Sequence, residues 1–377
     1  MTITITINVG VAANSDPFFE EITKKGEKMK KVLLGMSGGV DSSVAAILLK
    51  EAGYKVIGVT MELWDDGKCG NEKTKQDAKK VCDALEIPHH IIDLKEEFHK
   101  CVIQNFISEY KKCRTPNPCI ECNKYLKFGA MYEIAKKLDC EFIATGHYAK
   151  IEYSKEYNQY VLKKSNAGYK DQSYVLYNLP KELASKVLFP LSDFENKEQI
   201  RKIAQKYNLP VANKPDSEDI CFIPDGDYKI FLEQNSDIKS KPGKIVNDKG
   251  IVLGQHIGLH RYTIGQRKGL GIANPVPLFV KGFDINKNEL IVGEEKEIFS
   301  KVAIANEINL ILIDELKEPM EVMAKIRYAA KEAKAIIEPI ENDKIKVIFE
   351  KPQRAITPGQ SIVFYIGDIV LGGGKIV

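Results

Sequence analysis

The sequence predicts an α/β protein whose first half forms a doubly wound parallel sheet and whose second half consists of short strands. Between residues 30 and 146, aliphatic and β-branched runs alternate with stretches of helical period, as in strand–helix–strand units. From about residue 243, strand-like runs separated by turn residues predict a small β domain and a β-barrel. Because 377 residues exceed one ordinary core, we expect these halves to be separate domains.

The elements of the first half follow from its hydrophobic pattern. The buried strand KKVLLGM (30–36) precedes a helix whose apolar residues recur at helical spacing until Gly53 stops it. The other predicted elements are strands 54–61, 89–94 and 140–146 and helices 72–86, 96–112 and 118–139. Ligands of such sheets bind at the carboxyl ends of the strands, so we expect the site near residues 36–42, 61 and 146–147.

Composition and cysteine content predict a cytoplasmic protein, and changes of pattern along the chain divide it into four segments. The chain has no apolar run of about 18 residues and no basic start ahead of an apolar core, so we expect neither a membrane span nor a secretion signal. Eight cysteines without such a signal favour reduced thiols, and we expect a monomer. The net charge of +3 permits a polyanionic partner through local patches. The segments are an extension (1–29), an α/β domain (30–215), a central domain (216–298) and a C-terminal β-barrel (299–377).

A glycine-containing turn, SGGVDS (37–42), follows the first strand. Two glycines allow the backbone to direct successive N–H groups into one concavity, and the helix that follows adds its positive end. This geometry suits a pyrophosphate, although a ligand-free turn is the alternative. The motif G-x-x-x-x-G-K-[ST] is absent, which excludes a kinase-type or GTPase-type loop.

Two cysteines stand three positions apart in TPNPCIECNK (115–124). Asn117 is a good helix cap and Pro118 suits the first helical position, so Cys119 and Cys122 are expected in the first turns of a helix. There the positive helix end favours a reactive thiolate. A zinc knuckle or two buried small residues are the alternatives.

The remaining cysteines divide into one candidate and a structural group. Cys221 lies in the acidic, proline-rich segment PDSEDICFIPDG, which fits either a sulfur carrier or an idle residue. Core packing or an idle surface position accounts better for Cys69, Cys82, Cys101 and Cys140.

Six motifs in order resemble the tRNA-specific 2-thiouridylase (MnmA) family, which uses the loop of the N-type ATP pyrophosphatases. They are GMSGGVDSSVAA, TPNPCIECNKYLKFGA, ATGHYA, KDQSYVLYNL, PDSEDICFI and HRYTIGQRKGLGI, and the resemblance extends from about residue 30 to the end. It implies a tRNA-uridine 2-sulfurtransferase that uses ATP and Mg²⁺ to adenylate the C2 oxygen of the wobble uridine. Sulfur would come from a cysteine persulfide that a donor protein supplies.

The resemblance also implies roles for individual residues. Cys122 would be the nucleophile and Cys221 the persulfide carrier, able to form a transient disulfide with each other. Because these roles require the two thiols to meet, a mobile loop is expected around residues 213–226. The residues implied in ATP binding are Gly35, Met36, Ser37, Gly38, Gly39, Val40, Asp41, Ser42, Met61 and Gly146. The residues implied in tRNA binding are Asn117, Pro118, Cys119, His147, Lys170, Asp171, Gln172, Arg327, Tyr328 and Gln360.

One departure from the family pattern leaves the cofactor open. Many members carry Asp where this chain has Cys119, so a third thiol stands beside Cys122 and Cys221. Persulfide chemistry without a metal ranks first, a [4Fe–4S] cluster on these three thiols second, and zinc held with Cys113 third. A related loop enzyme with such a cluster, or a non-catalytic ATP-responsive tRNA-binding module, is the rival interpretation.

Basic and aromatic residues interleave in HRYTIGQRKGLG (260–271) and KIRYAAKEAK (325–334), a composition typical of RNA contacts. Each residue taken singly has a structural alternative: an exposed lysine is usually only solvated, and Tyr262 can simply pack. His256 and His260 are interpreted as structural.

Overall fold

A computed structural model describes residues 29–65, 70–215, 220–223 and 225–377. The parallel strands of the first domain are β1 (Lys31–Gly35), β2 (Lys55–Glu62), β3 (His89–Asp93), β4 (Phe142–Ala144) and β7 (Val187–Leu188). They form one sheet in the order β3-β2-β1-β4-β7. The chain leaves β1 toward β2 on one side and returns to β4 on the other, which opens a ligand crevice at the end of β1. The proposed extension, apart from Met29, and Cys69 lie outside the described residues.

Helices cover both faces of this sheet. They are α1 (Val40–Glu51), α2 (Glu72–Ala84), α3 (residues 95–111), α4 (residues 118–137) and α5 (Lys197–Lys206). Along β1, Val32 and Leu34 belong to the core formed with α1, α2 and α5, whereas Leu33 between them packs with Phe128 and Met131 of α4. Alternate residues of a strand face opposite sides, so two separate cores confirm the doubly wound arrangement.

Two of the helices contain π-helical turns that their hydrophobic pattern does not reveal. The stretch His99–Ile103 lies inside α3, and the stretch Asn123–Ala130 lies inside α4. The start of α4 is as the sequence predicts, since the Oδ1 of Asn117 accepts a hydrogen bond from the Cys119 amide at 3.2 Å and Pro118 is the first helical residue. Turns of this kind are frequent at functional sites.

The second half forms the two predicted β domains. After α6 (Tyr228–Asn235), the central sheet contains β8 (Gly243–Val246), β9 (Val252–His256), β10 (Phe279–Asp284) and β11 (Glu289–Gly293). The last domain contains β12 (Phe299–Leu310), β13 (Met320–Lys325), β14 (Ala333–Ile340), β15 (Lys344–Arg354), β16 (Ser361–Ile366) and β17 (Ile369–Ile376). These six strands pair in the order β12-β15-β14-β13-β16-β17, and β17 pairs back onto β12. The sheet therefore closes into the expected barrel.

The barrel is joined to the first domain by a hairpin that the sequence analysis missed. The strands β5 (Lys150–Ser154) and β6 (Gln159–Lys163) extend the barrel sheet, with Lys163 paired to Ile369. Val363 and Tyr365 of the barrel also belong to the same buried cluster as Leu33. The two domains thus share a core. None of the helices in the described part of the chain combines the length and apolar character needed to span a bilayer.

Candidate active site

A cleft of about 320 Å³ opens where the sheet predicts it, at the carboxyl ends of β1, β2 and β4. Its lining includes Ser37, Asp41 and Ser42 of the SGGVDS loop, which we call the loop wall, and Cys119, Cys122 and Cys221, which we call the thiol wall. Of the residues proposed to bind ATP, those lining it are Gly35, Met36, Ser37, Asp41, Ser42, Met61 and Gly146. The volume is in the range of small-molecule sites.

The loop holds its shape through its own hydroxyl groups. Ser42 Oγ accepts a hydrogen bond from the Ser37 amide at 3.2 Å and lies 3.2 Å from Ser37 Oγ, while Ser43 Oγ donates to the Gly39 carbonyl at 2.7 Å. No side chain of the described residues caps the N-terminus of α1 at Gly39. Its first-turn amides therefore remain available to an anion.

Two glycines of the site are required by close backbone approach. Gly38 has a φ of +62°, and a Cβ there would lie 2.6 Å from the Thr74 carbonyl oxygen. A Cβ on Gly146 would lie 2.9 Å from the Ser42 amide nitrogen. Gly38, Gly39 and Val40 do not line the cleft; Gly38 packs on α2 and Val40 is buried in the core. Their proposed contribution to ATP binding is therefore through the shape of the loop.

Charged partners that the motif does not contain surround this loop. Asp41 Oδ1 accepts from the Tyr148 hydroxyl at 2.7 Å, and its Oδ2 accepts from Lys197 Nζ at 2.6 Å. Lys214 donates to the Gly38 carbonyl at 2.9 Å and to Asp77 at 2.7 Å. Tyr148 follows directly on ATGH and could have been proposed, whereas no local pattern marks Lys197 or Lys214.

The cysteines of the thiol wall come from two segments of the chain. Cys122 is buried and Cys119 exposed at the start of α4, and Cys221 reaches the cleft from the predicted 213–226 loop, of which residues 216–219 and 224 lie outside the described part. Phe222 anchors this segment, because its ring is buried against Phe98 and Phe106 of α3. The fold thus brings together two thiols separated by about a hundred residues.

The thiol wall is held from behind by the C-terminal barrel. The Thr115 amide donates to the Pro358 carbonyl at 2.9 Å, and the Gln360 side chain donates to the Thr115 carbonyl at 2.7 Å. Lys375, which is buried, lies 3.4 Å from Glu121, the residue directly before Cys122. We call Pro358, Gln360 and Lys375 the barrel brace. The side-chain amide of Gln360, a proposed tRNA contact, therefore supports the cysteine segment through a hydrogen bond.

The brace contains a buried ion pair. Burial alone would lower the pKa of Lys375, but the neighbouring Glu121 and Glu307 carboxylates raise it above its usual value. Glu307 lies 3.0 Å from the same ammonium. Both carboxylates stabilise the charged lysine in this position, where an unpaired buried charge would be costly.

The thiols do not form a metal-binding set in this conformation. Among the described residues, no group of three or more His, Cys, Asp or Glu side chains is placed to hold a metal ion. Cys113 packs into the central domain instead of lining the cleft, and burial raises its pKa to about 11, which does not fit the zinc alternative. The present geometry fits neither metal alternative, and we derive no step through a cluster or zinc.

The other cysteines set aside on sequence grounds are structural where described. Cys82 and Cys140 are buried, and burial raises the pKa of Cys82 to about 11. Cys101 is half-buried beside the α3 core. His256 and His260 are also held by protein groups: His256 Nε2 lies 3.0 Å from the Asn288 carbonyl, and His260 Nε2 lies 3.0 Å from Glu233.

His147 and Lys127 also line the cleft. His147 Nδ1 lies 2.7 Å from Thr145 Oγ1, and its Nε2 lies 3.2 Å from Lys127 Nζ. Burial, assisted by the Lys127 charge, lowers the pKa of His147 well below 6.5. The imidazole is therefore neutral at physiological pH. Lys127 was not singled out in the sequence because one lysine in a helix carries no signal.

The remaining proposed tRNA contacts fall into two places. Pro118 and Gln172 line the cleft, whereas Asp171 is buried and accepts hydrogen bonds from the Ser165 amide and the Ser173 hydroxyl. Its carboxylate is therefore committed to its own loop. Lys170 lies beside the exposed Tyr169 ring, outside the cleft.

Arg327 lines a second cavity, of about 370 Å³, between the central domain and the barrel, together with Lys229 and Arg261. The Arg327 guanidinium donates to the Ala355 carbonyl at 2.8 Å, while its buried Nε has no hydrogen-bond partner among the described residues. The half-exposed Tyr328 ring follows it in sequence. The basic lining agrees with the RNA-like composition of HRYTIGQRKGLG.

Comparison with known proteins decides the family. Residues 30–225 match the family model described as tRNA methyl transferase HUP domain, residues 229–294 the tRNA methyl transferase PRC-barrel domain, and residues 300–376 the aminomethyltransferase beta-barrel domain. The tRNA-specific 2-thiouridylase MnmA of Acetivibrio thermocellus is 50% identical over 356 residues, 92% of this chain and 99% of that protein. This chain belongs to the tRNA-specific 2-thiouridylase family.

Further relatives agree with that assignment. The proteins of the same name from Caldicellulosiruptor saccharolyticus and Clostridioides difficile are 50% and 48% identical, each over 92% of this chain and 98% of the relative. The family resemblance inferred from six motifs is therefore confirmed. Membership of the family makes the cleft, where the motif residues converge, the candidate active site.

Proposed function

We propose that this protein is an ATP-dependent sulfurtransferase that converts the C2 carbonyl of the wobble uridine, U34, of tRNA into a thiocarbonyl. The observation that carries the proposal is that Cys122 and Cys221 line the same cleft as the SGGVDS loop. A nucleotide on that loop and two thiols are the parts that this reaction needs. The three close relatives, all named tRNA-specific 2-thiouridylases, support the choice of tRNA and product.

The first half-reaction activates a poor leaving group. The uracil O2 attacks the α-phosphorus of ATP, the α–β phosphoanhydride bond breaks, and pyrophosphate departs as N3 loses its proton. The loop amides from Ser37 to Ser42 would hold the phosphates at the N-terminus of α1. Mg²⁺ would accompany the phosphates; both oxygens of Asp41, the carboxylate of this loop that lines the cleft, already accept from Tyr148 and Lys197. A carboxylate oxygen can accept more than one interaction, so these two bonds leave Asp41 able to hold Mg²⁺ beside the phosphates.

The second half-reaction replaces the adenylated oxygen with sulfur carried on Cys221. In one order, the Cys122 thiolate attacks the Cys221 persulfide and hydrosulfide leaves. The hydrosulfide then attacks C2 and displaces AMP. In the other, the terminal persulfide sulfur displaces AMP directly, and Cys122 then attacks the Cys221 sulfur to release the thiocarbonyl. Both orders end with a Cys122–Cys221 disulfide, which a thiol reductant returns to two thiols. Both need the 213–226 loop to bring the sulfurs together.

Partners follow from the same chemistry. The cavity lined by Arg327 and the Lys170–Tyr169 pair would contact tRNA phosphates and bases outside the cleft. A persulfide donor protein would load Cys221. We further propose a cytoplasmic, monomeric enzyme, with residues 1–29 as an extension and domains at 30–215, 216–298 and 299–377.

Methyl transfer, which the descriptions of two of the matching family models mention, is less well supported by the site. A methyltransferase has no evident need for two thiols facing a phosphate-binding loop. The same two thiols also disfavour a non-catalytic module that binds ATP and tRNA. We therefore keep sulfur transfer as the proposed reaction.

The deciding experiment incubates the protein with ATP, Mg²⁺, unmodified tRNA and a persulfide donor, and measures 2-thiouridine by mass spectrometry of the nucleosides. Cys122→Ser and Cys221→Ser should abolish the product and leave tRNA binding intact. Cys101→Ser, half-buried away from the cleft, is the control and should retain activity. If either cleft variant thiolates at the rate of the control, the assigned cysteine roles are wrong. Iron and zinc analysis after anaerobic purification tests the role of Cys119.

A further inference from the structure

Lys127 lies five residues after Cys122 in α4, and both side chains line the cleft. In a regular α-helix, residues three or four apart share a face, so a residue five positions on would turn away. The stretch Asn123–Ala130 is π-helical, and its wider turn, with i→i+5 hydrogen bonds, brings residues five apart closer to one face. The π-helical stretch therefore explains why an ammonium group and a thiol share one wall.

The side-chain contacts of Lys127 leave its positive charge available to a ligand in the cleft. Its Nζ lies 3.2 Å from His147 Nε2. An ammonium only donates, so Nε2 accepts, and Nδ1 carries the hydrogen that it donates to Thr145 Oγ1 at 2.7 Å. A neutral imidazole orients the ammonium without neutralising it.

The other lysines around the cleft differ in this respect. Lys197 pairs with Asp41 at 2.6 Å, and Lys214 pairs with Asp77 at 2.7 Å. No carboxylate among the described residues forms an ion pair with Lys127. A half-buried cation without a protein anion is suited to an anionic ligand, because the ligand then supplies the missing charge.

We infer that Lys127 is a further catalytic residue, whose ammonium contacts the phosphate on the adenylated C2 oxygen. The inference rests on the proposed function and assigns the glycine loop to the pyrophosphate and Lys127 to the adenylyl phosphate. As the sulfur–C2 bond forms and the C2–O bond breaks, the electron pair passes to the oxygen of departing AMP. Lys127 keeps its proton and donates a hydrogen bond to the growing negative charge.

The test compares Lys127→Ala, Lys127→Met and Lys127→Arg with the control Lys124→Ala. Lys124 belongs to the same π-helical stretch, but its ammonium lies over the Tyr125 ring, 5.1 Å from the centroid, and it does not line the cleft. Single-turnover formation of 2-thiouridine should fall about 100-fold or more in the Ala and Met variants, the loss typical of a removed charge-stabilising donor. The Arg variant, which keeps the cation, should recover much of the rate, and tRNA affinity should stay within about twofold.

The inference is overturned if Lys127→Ala thiolates at the rate of Lys124→Ala, if Lys127→Met matches Lys127→Arg, or if weaker tRNA binding accounts for the whole loss. The Met and Arg side chains resemble Lys in length, so their comparison decides the question even where the Ala variant fails to fold. A wild-type protein that forms no 2-thiouridine would instead refute the proposed function. The two failures are therefore distinguishable.

Discussion

The two walls of the cleft are built in different ways. The loop wall, Ser37 to Ser42, is shaped by contacts within five residues and by the close approach of Gly38 to Thr74 of α2. In the thiol wall, the segment 115–122 depends on the barrel brace, whose Gln360 contacts Thr115 across 245 positions of sequence. The hydroxyl contacts that shape the phosphate loop are thus local, whereas the placement of the nucleophile segment here depends on a separate domain.

The largest expected effect is on the loop wall. Gly38→Ala places a Cβ against the Thr74 carbonyl and forces an L-residue to a φ of +62°. A distortion of about 3 kcal/mol at the phosphates would weaken ATP binding about 100-fold. Isothermal titration with ATP measures this effect. Gly168→Ala is the matched control, since its φ is +55° but no atom lies within 4 Å of the added Cβ. Equal ATP affinity in both variants would contradict the steric account of the loop wall.

A second effect, similar in free energy but on stability instead of ATP binding, is expected on the thiol wall. Lys375→Met leaves Glu121 and Glu307 without their buried cation, which should lower the free energy of unfolding by about 3 kcal/mol and reduce thiolation. ATP affinity should change little, because the brace does not touch the loop wall. Chemical denaturation and ATP titration together separate the two walls.

The control for this variant is Lys346→Met, which removes a partly exposed pair with Glu338 on the same barrel. That change should cost less than about 1 kcal/mol. If Lys375→Met is no more destabilising than Lys346→Met, or if it abolishes ATP binding, the brace does not act on the thiol wall alone.

The smallest effect concerns pH. The folded-state pKa of His147 is well below 6.5. Just below pH 6.5, the imidazole is therefore protonated in the unfolded chain but not in the folded protein. The contribution of His147 to stability is therefore complete above about pH 6.5 and falls below it, by up to about 1.4 kcal/mol per pH unit. His147→Gln should make the pH dependence of unfolding shallower between about pH 6.5 and about pH 5. His89 and His256, whose pKa values burial also lowers, keep some dependence in the variant. An unchanged slope would show that His147 is not protected from protonation.

Much of the fold was predictable because its signals are local. The strand and helix order, the cap at Asn117 and the glycine turn depend on residues only a few positions apart. The hairpin Lys150–Ser154 and Gln159–Lys163 was missed because it completes the sheet of a domain that begins more than a hundred residues later. The π-helical stretch was missed because hydrophobic spacing does not distinguish it from an α-helix over so few residues.

By itself the sequence determined the doubly wound sheet, the loop at its first strand end and the identity of the three thiols near the site. Only the tertiary structure decided that Gln360 supports Thr115, that Asp171 is committed to its own loop and that Lys127 faces the cleft beside Cys122. The physical reason is the distance along the chain over which each kind of interaction acts. Backbone sterics and capping act over a few residues, whereas burial, ion pairing and the direction of a charge depend on what distant segments pack alongside.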